Sequence, residues 1–224
     1  PGGGGWSLSR LLLGRGTERA KERRTASPLR REGSPEPGSD APAQFVGGKL
    51  LSKEEQQLIW SWLPIRQRLK DATLIYCSEK HGYNLHTLYR LSDQKIKEQE
   101  HRRGAAETAS LLIIKTGRKE VLGVYTNVGW QHLEHYYGNG ECFVFRLSPR
   151  PRCWKWSQRN DMMMLACNKS LSIGAGSEPA LWLDDEISQG ISSACETFGT
   201  PPLTTEEQVI VLPAATDAAG QKGK

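Results

Sequence analysis

From residue 110 onward the chain is a succession of short apolar runs, each bounded by Gly, Pro, Asn or Ser, and no helix of about 10 to 15 residues is read between one run and the next. This excludes a doubly wound parallel sheet, because parallel neighbours need crossovers of a dozen residues or more. Residues 110–115 and 120–125 are apolar and β-branched, with Thr116-Gly117-Arg118-Lys119 between them, and read as a hairpin. Residues 141–147 alternate, placing Phe143, Phe145 and Leu147 on one face. Further strands are predicted at 153–157, 162–166, 180–184 and 209–212.

Helical signals are few and come earlier. Ser52 with Glu55 three residues on is a capping-box pattern, after which Leu58, Ile59 and Trp62 share a face before Pro64 stops the helix. Residues 73–77 are β-rich and His81-Gly82 supplies a turn, beyond which Asn84 caps a short helix carrying Leu85, Leu88 and Tyr89. Residues 93–109 are charged and polar and read as an exposed insertion holding a marginal helix. Many short strands and few helices predict an α+β chain: two packed antiparallel sheets, a β-sandwich, with peripheral short helices.

Residues 1–49 differ from the remainder, with nine Lys/Arg against five Asp/Glu and abundant Gly, Pro and Ser; residues 50–224 hold twenty-one against twenty. Too poor in large hydrophobes to offset its ordering entropy, this basic arm is expected to be disordered, as is a tail over 213–224. The near-neutral residues 50–212 offer no basic stripe for nucleic acid. Within the arm, Arg23-Arg24 precedes Ser27-Pro28 and Arg30-Arg31 precedes Ser34-Pro35, which makes Ser27 and Ser34 candidate phosphosites; a solvated basic linker is the plainer reading. The Arg-rich start is also compatible with a mitochondrial transit peptide, although Glu18 and Glu22 argue against it. No run approaches the length of a transmembrane segment. Five widely separated cysteines in apolar runs read as reduced thiols, so a soluble, cytoplasmic monomer is expected.

Signs of chemistry are weak. Gly138-Asn139-Gly140 and Gly174-Ala175-Gly176 each contain G-x-G, but the third position after the second glycine is Phe143 in one and Pro179 in the other, so no dinucleotide fingerprint is completed and tight turns are the better reading. Cys77, His81 and His86 lack a second close ligand pair, and Cys195 with His132 or His135 is a thiol-nucleophile set that most chains of this size could offer. No cofactor or metal is expected. Aromatic residues are dense between 130 and 198; core packing accounts for most, while Tyr136, Tyr137 and Trp182, beside glycines or turns, could anchor a partner.

Taken in order, certain landmarks form a recognisable set: His81-Gly82 with Leu85, Leu88 and Tyr89; Leu122-Gly123; Trp130; Tyr137-Gly138-Asn139-Gly140-Glu141-Cys142-Phe143-Val144-Phe145; Trp154-Lys155-Trp156. Ser172-Ile173-Gly174, Ala180-Leu181-Trp182-Leu183-Asp184, Gly190 and Cys195-Glu196-Thr197-Phe198-Gly199 continue it. From residue 50 to 212 the chain resembles the TLDc domain, found in oxidation resistance proteins and, in other architectures, behind TBC or LysM modules. It departs from that pattern at its end, where the acidic residue and tryptophan of the closing strand are missing, and in the length of the 93–109 segment.

The resemblance implies a non-enzymatic protein-interaction module that protects against oxidative damage, with peripheral subunits of the vacuolar proton-pumping ATPase (V-ATPase) as partners and membrane association through them. The implied partner-binding surface combines Gly138, Gly140, Glu141, Gly174, Gly176, Asp184 and Gly190. A carboxylate at a strand end, such as Glu141 or Asp184, either satisfies backbone amides or pairs with a partner's cation. Two other functions stay open: a cysteine-based redox protein, and an accessory module of a TBC-type small-GTPase regulator.

Overall fold

A computed structural model describes residues 7–13, 45–46, 50–103, 108–205 and 210–211. In chain order these form β1 (Ser7–Leu13), β2 (Phe45–Val46), α1 (Lys53–Trp62), α2 (Ile65–Arg68), β3 (Ala72–Cys77), α3 (Ser78–His81), α4 (Leu85–Arg103), β4 (Ser110–Lys115), β5 (Val121–Thr126), β6 (Phe143–Ser148), β7 (Arg152–Lys155), β8 (Met164–Ala166), β9 (Ser170–Ile173), β10 (Leu181–Asp184), β11 (Gln189–Ile191) and β12 (Ile210–Val211). The strands make two sheets, ordered β2-β3-β1-β4-β5-β6-β7 and β12-β11-β10-β9-β8. All pairings are antiparallel except β2 with β3. The two-sheet sandwich with peripheral helices is thus the architecture that the spacing of the apolar runs predicts.

Residues 111–114 and 121–125 are buried without interruption, because the centre of the larger sheet is covered on both sides. Leu112, Ile114, Leu122 and Val124 point between the sheets, into a core shared with Met164, Leu171, Ile173 and Leu183. Leu111, Ile113, Val121 and Tyr125 face the other way, meeting Phe143, Phe145 and Leu147 beneath Ile59 and Leu63. Alternation along β6 follows from the same geometry, since Val144 joins the first core while its neighbours join the second. The molecule is therefore three layers deep: α1, the larger sheet, the smaller sheet.

Local signals place the helices. Glu55 N–H donates to the Ser52 hydroxyl at 3.2 Å and the Glu55 carboxylate accepts from Ser52 N–H at 2.7 Å, completing the capping box of α1. Thr87 N–H donates to the Asn84 side-chain oxygen at 3.0 Å at the start of α4. That helix is longer than the charged composition of 93–109 suggests, running to Arg103. Its buried and half-buried stripe of Leu85, Leu88, Tyr89, Ser92 and Ile96 recurs at three- and four-residue spacing, and Asp93–Lys97 and Lys95–Glu98 pair along it. What reads as an insertion is the solvated face of a docked helix.

The arm contributes more to the sheet than its composition suggests. β1 lies between β3 and β4 and is paired along both edges, and β2 extends the sheet beyond β3. Backbone bonds from non-local neighbours create these strands, and residues 7–13 have no local pattern that announces them. Ser27, Ser34 and the 213–224 tail lie outside the described residues. β9 and β11, also absent from the sequence reading, are held by β10 between them. The closing strand expected at 209–212 is β12, on the edge of the smaller sheet beside β11.

Gly123 marks the tightest point of the larger sheet. A methyl group there would lie 2.2 Å from the Leu112 carbonyl oxygen and 2.6 Å from the Phe145 ring, and the first of these is backbone that cannot rotate away. Gly123→Ala is expected to cost about 1–3 kcal/mol of stability in urea unfolding; an unchanged midpoint would show that the strands separate freely.

Candidate functional site

Glycines gather at the end of the sandwich where β6 begins. The turn before it is organised by Asn139, whose side chain accepts Glu141 N–H at 3.0 Å and whose carbonyl accepts Cys142 N–H at 3.1 Å. Gly138 has φ 122°, and a Cβ there would sit 2.6 Å from Met163 Cβ. At Gly140 a Cβ would sit 2.5 Å from the Trp156 ring, itself fixed by a 2.6 Å bond from its indole N–H to the Asn160 carbonyl. These glycines let a loop lie flat on large side chains, a need distinct from nucleotide binding.

Gly174 and Gly176 belong to the same end. Gly174 N–H donates to the Met163 carbonyl at 2.7 Å, and a Cβ on this residue would meet Cys195 Sγ at 2.5 Å. Gly176 has φ 125° and lies against the Glu196 side chain. Between the two, Ala175 N–H donates to the Thr197 hydroxyl at 2.8 Å, and that hydroxyl lies 2.7 Å from Asn160 Oδ1, to which it donates. Ser157 N–H donates to the Thr197 carbonyl at 2.8 Å and the Ser157 hydroxyl to the Glu196 carbonyl at 2.6 Å. Thr197, fully buried, thus knots three loops together. Sequence reading quotes Thr197 as a landmark but assigns it no task, because its partners Asn160 and Ala175 are remote in the chain.

Like the exposed Glu196 beside Gly176, Glu141 is a charged group of this rim. Its carboxylate accepts from Arg66 of α2 and from the Asn127 amide, so it ties α2 to the loop after β5. Both members of the ion pair are substantially exposed, at 56% for Arg66 and 40% for Glu141, which limits the pair to about 1 kcal/mol or less.

Asp184 and Gly190 lie elsewhere. β10 leaves the glycine rim at Leu181 and reaches Asp184 about 10–13 Å away. There Asp184 accepts Ser188 N–H at 2.7 Å, Gln189 N–H at 3.0 Å and the Ser188 hydroxyl at 2.6 Å. Buried Gly190 pairs with Leu183 across β10–β11. Of the two roles open to a strand-end carboxylate, Asp184 takes the first, satisfying backbone amides. The seven residues consequently divide into five on one rim and two at the opposite end of β10.

All five cysteines are free thiols. Burial pushes the Cys142 thiol above its ordinary value and raises Cys153 to about 11. At Cys167 partial burial acts upward too, but hydrogen bonding with the Ser170 side chain and the Lys169 and Ser170 backbone, aided by the Lys169 charge, outweighs it and leaves the thiol below its ordinary value. Cys195 is buried with its Sγ 3.3 Å from the Ala175 carbonyl, and His81 accepts Cys77 N–H through Nδ1 at 3.1 Å. Among the described residues no three His, Cys, Asp or Glu side chains form a metal-binding group.

This arrangement, with the knot at Thr197 and the glycines packed on Trp156 and Cys195, is that of residues in one family pattern: the model of the TLDc domain matches residues 45–213, about three quarters of the chain. The chain belongs to the TLDc domain family. Curated relatives include the GTPase-activating protein skywalker of Drosophila melanogaster, 31% identical over 65% of this chain and 26% of that protein. Oxidation resistance protein 1 of Xenopus laevis is 33% identical over 79% of this chain and 19% of its own length. Nuclear receptor coactivator 7 of Homo sapiens is 33% identical over 66% and 15%. The chain spans less than a third of the length of each of these relatives.

Two outcomes follow for the TLDc rim and its thiols. Thr197→Val, which keeps the shape but leaves Ala175 N–H without its acceptor, should lower unfolding free energy by about 1–3 kcal/mol in urea titration. In the native protein at pH 8, iodoacetamide should label Cys167 before Cys142 or Cys153, as read by peptide mass spectrometry; the reverse order would contradict the electrostatics described.

Proposed function

We propose that this TLDc domain is a non-enzymatic adaptor in oxidative-stress resistance, acting at the cytoplasmic side through peripheral subunits of the vacuolar proton-pumping ATPase. The single observation that carries the reading is the rim itself. Gly138, Gly140, Gly174 and Gly176 are seated on bulky side chains, Thr197 locks the loops beneath, and Glu141 stands half-exposed at the edge beside Arg66. Preorganised loops beside an accessible charge pair suit recognition of another protein, because little ordering entropy remains to be lost on binding. Kinship with proteins named for oxidation resistance supports the cellular role. Among the described residues no helix is long and apolar enough to cross a membrane, which is compatible with attachment through a partner.

One relative favours a second reading. Skywalker is named a GTPase-activating protein, and the region shared with it is a minor part of its length, so this domain could serve as the accessory module of such a regulator. The thiol alternative, in turn, depends on Cys167, and protection that survives replacement of all five cysteines would remove it.

The adaptor reading is tested by capture from cell extract with the full chain as bait. Peripheral pump subunits should be enriched, and Glu141→Arg should reduce that enrichment about tenfold, the loss typical of a central contact. Combining Glu141→Arg with Arg66→Glu restores an ion pair of reversed polarity within the chain and should not restore capture. Recovery in the double variant would show that Glu141 acts only within the fold, and absence of pump subunits from the wild-type eluate would sink the pump as partner. Asp184 is unsuited to the test, since its reversal would break the β10–β11 turn.

A further inference from the structure

Opposite the Glu141 rim, where β6 ends, the β6–β7 hairpin and residues 201–205 enclose a groove of about 520 Å³. Its walls are Arg146 and Arg150, the prolines 149, 201 and 202, and Thr205, and none of the described residues lining it is acidic. Arg146 is preorganised. Its Nε donates to the Arg150 carbonyl at 3.1 Å, its Nη1 to the Leu203 carbonyl at 3.4 Å, and the guanidinium lies 5.7 Å from the centre of the Trp154 ring. Nη2 faces no acceptor among the described residues, and the exposed Arg150 side chain makes no hydrogen bond or ion pair there. Glu120, the carboxylate behind Thr205, is buried and already accepts Thr205 N–H at 3.0 Å and its hydroxyl at 2.7 Å. Among the described residues neither guanidinium has a carboxylate partner, and an anion able to accept from both fits the pair, a phosphate dianion better than a lone carboxylate. A concave groove between a hairpin and residues 201–205 suits an extended peptide in preference to a lipid headgroup at a flat surface.

We propose that this groove docks a phosphorylated Ser-Pro segment, and that the chain's own segment around Ser34 is its ligand. From Glu32 to Asp40 the sequence carries Glu32, Glu36 and Asp40, no Lys or Arg, and Pro35 and Pro37 beside Ser34. Phosphorylation adds roughly two negative charges to it. Ser27 is the poorer ligand, because arginine pairs flank it on both sides, Arg23-Arg24 and Arg30-Arg31, whereas Ser34 has such a pair on one side only. A proline-directed kinase supplies the modification. The Ser34 oxygen attacks the γ-phosphorus of ATP, the bond to the bridging oxygen of the β-phosphate breaks, ADP departs and the hydroxyl proton passes to solvent.

The test is titration of the full chain, unphosphorylated, with synthetic peptides of residues 30–42 with and without phosphate on Ser34, followed by calorimetry. The phosphorylated peptide should bind at least about tenfold more tightly. Arg150→Ala, a change at an exposed side chain, should abolish that preference and leave the melting temperature in place. Equal binding of the two peptides, or a preference that survives Arg150→Ala, overturns the proposal. So does inorganic phosphate competing as well as the phosphopeptide, or Arg150-dependent binding to anionic phospholipid vesicles that the phosphopeptide does not displace.

Discussion

The sandwich depends on the two central strands β4 and β5, which have no face that water can solvate. Once Leu111 to Ile114 and Val121 to Tyr125 pair side by side, each surface of that ribbon must be covered by something apolar. The smaller sheet covers one surface and α1 the other, and each cover is amphipathic in its turn. Gly123 shows how closely the strands are drawn together, with no room for a methyl group between Leu112 and Phe145. Loops at the two ends also supply the core, with Trp130, Met163, Cys195, Phe198 and Leu203 buried in it.

At one end the loops have been made rigid. Glycines there do not supply mobility; they allow backbone to rest directly on Trp156, Met163, Cys195 and Glu196, and the Thr197 hydroxyl satisfies groups from two other loops, at Ala175 and Asn160. A surface with so few internal degrees of freedom loses little ordering entropy on binding, which is why it supports the proposed adaptor role. At the other end the chemistry is cationic and concave, around Arg146 and Arg150. Separation of the two by the length of β6 keeps the groove clear of the rim, so the two proposed binding events do not compete for the same surface.

Much of this was legible in the residues. The capping box at Ser52, the Asn84 cap, the hairpin over 110–125 and the alternation through Phe143, Phe145 and Leu147 are local patterns whose physics acts within a few residues, and the structure follows each of them. The family landmarks pointed to the glycine rim for the same reason. Where reading failed, the cause was non-local. The charges of 93–103 obscured a helix whose inner stripe docks on the core, and β1, β9 and β11 exist because neighbouring strands offer them hydrogen bonds. Asp184 and Gly190 were grouped with the rim although β10 carries them to the far end.

What the sequence by itself determined is the period of its apolar runs and the punctuation between them, hence antiparallel sheets with helices outside, since side-chain alternation and turn chemistry are properties of neighbouring residues. Only the tertiary structure decided which carboxylate is spent on its own backbone and which stands at the surface, and which arginines have no counter-ion among the described residues. Those outcomes depend on distances between residues far apart in the chain, such as Arg66 and Glu141 or Arg146 and Leu203, and electrostatics and hydrogen bonding act on such distances, whatever the separation in sequence.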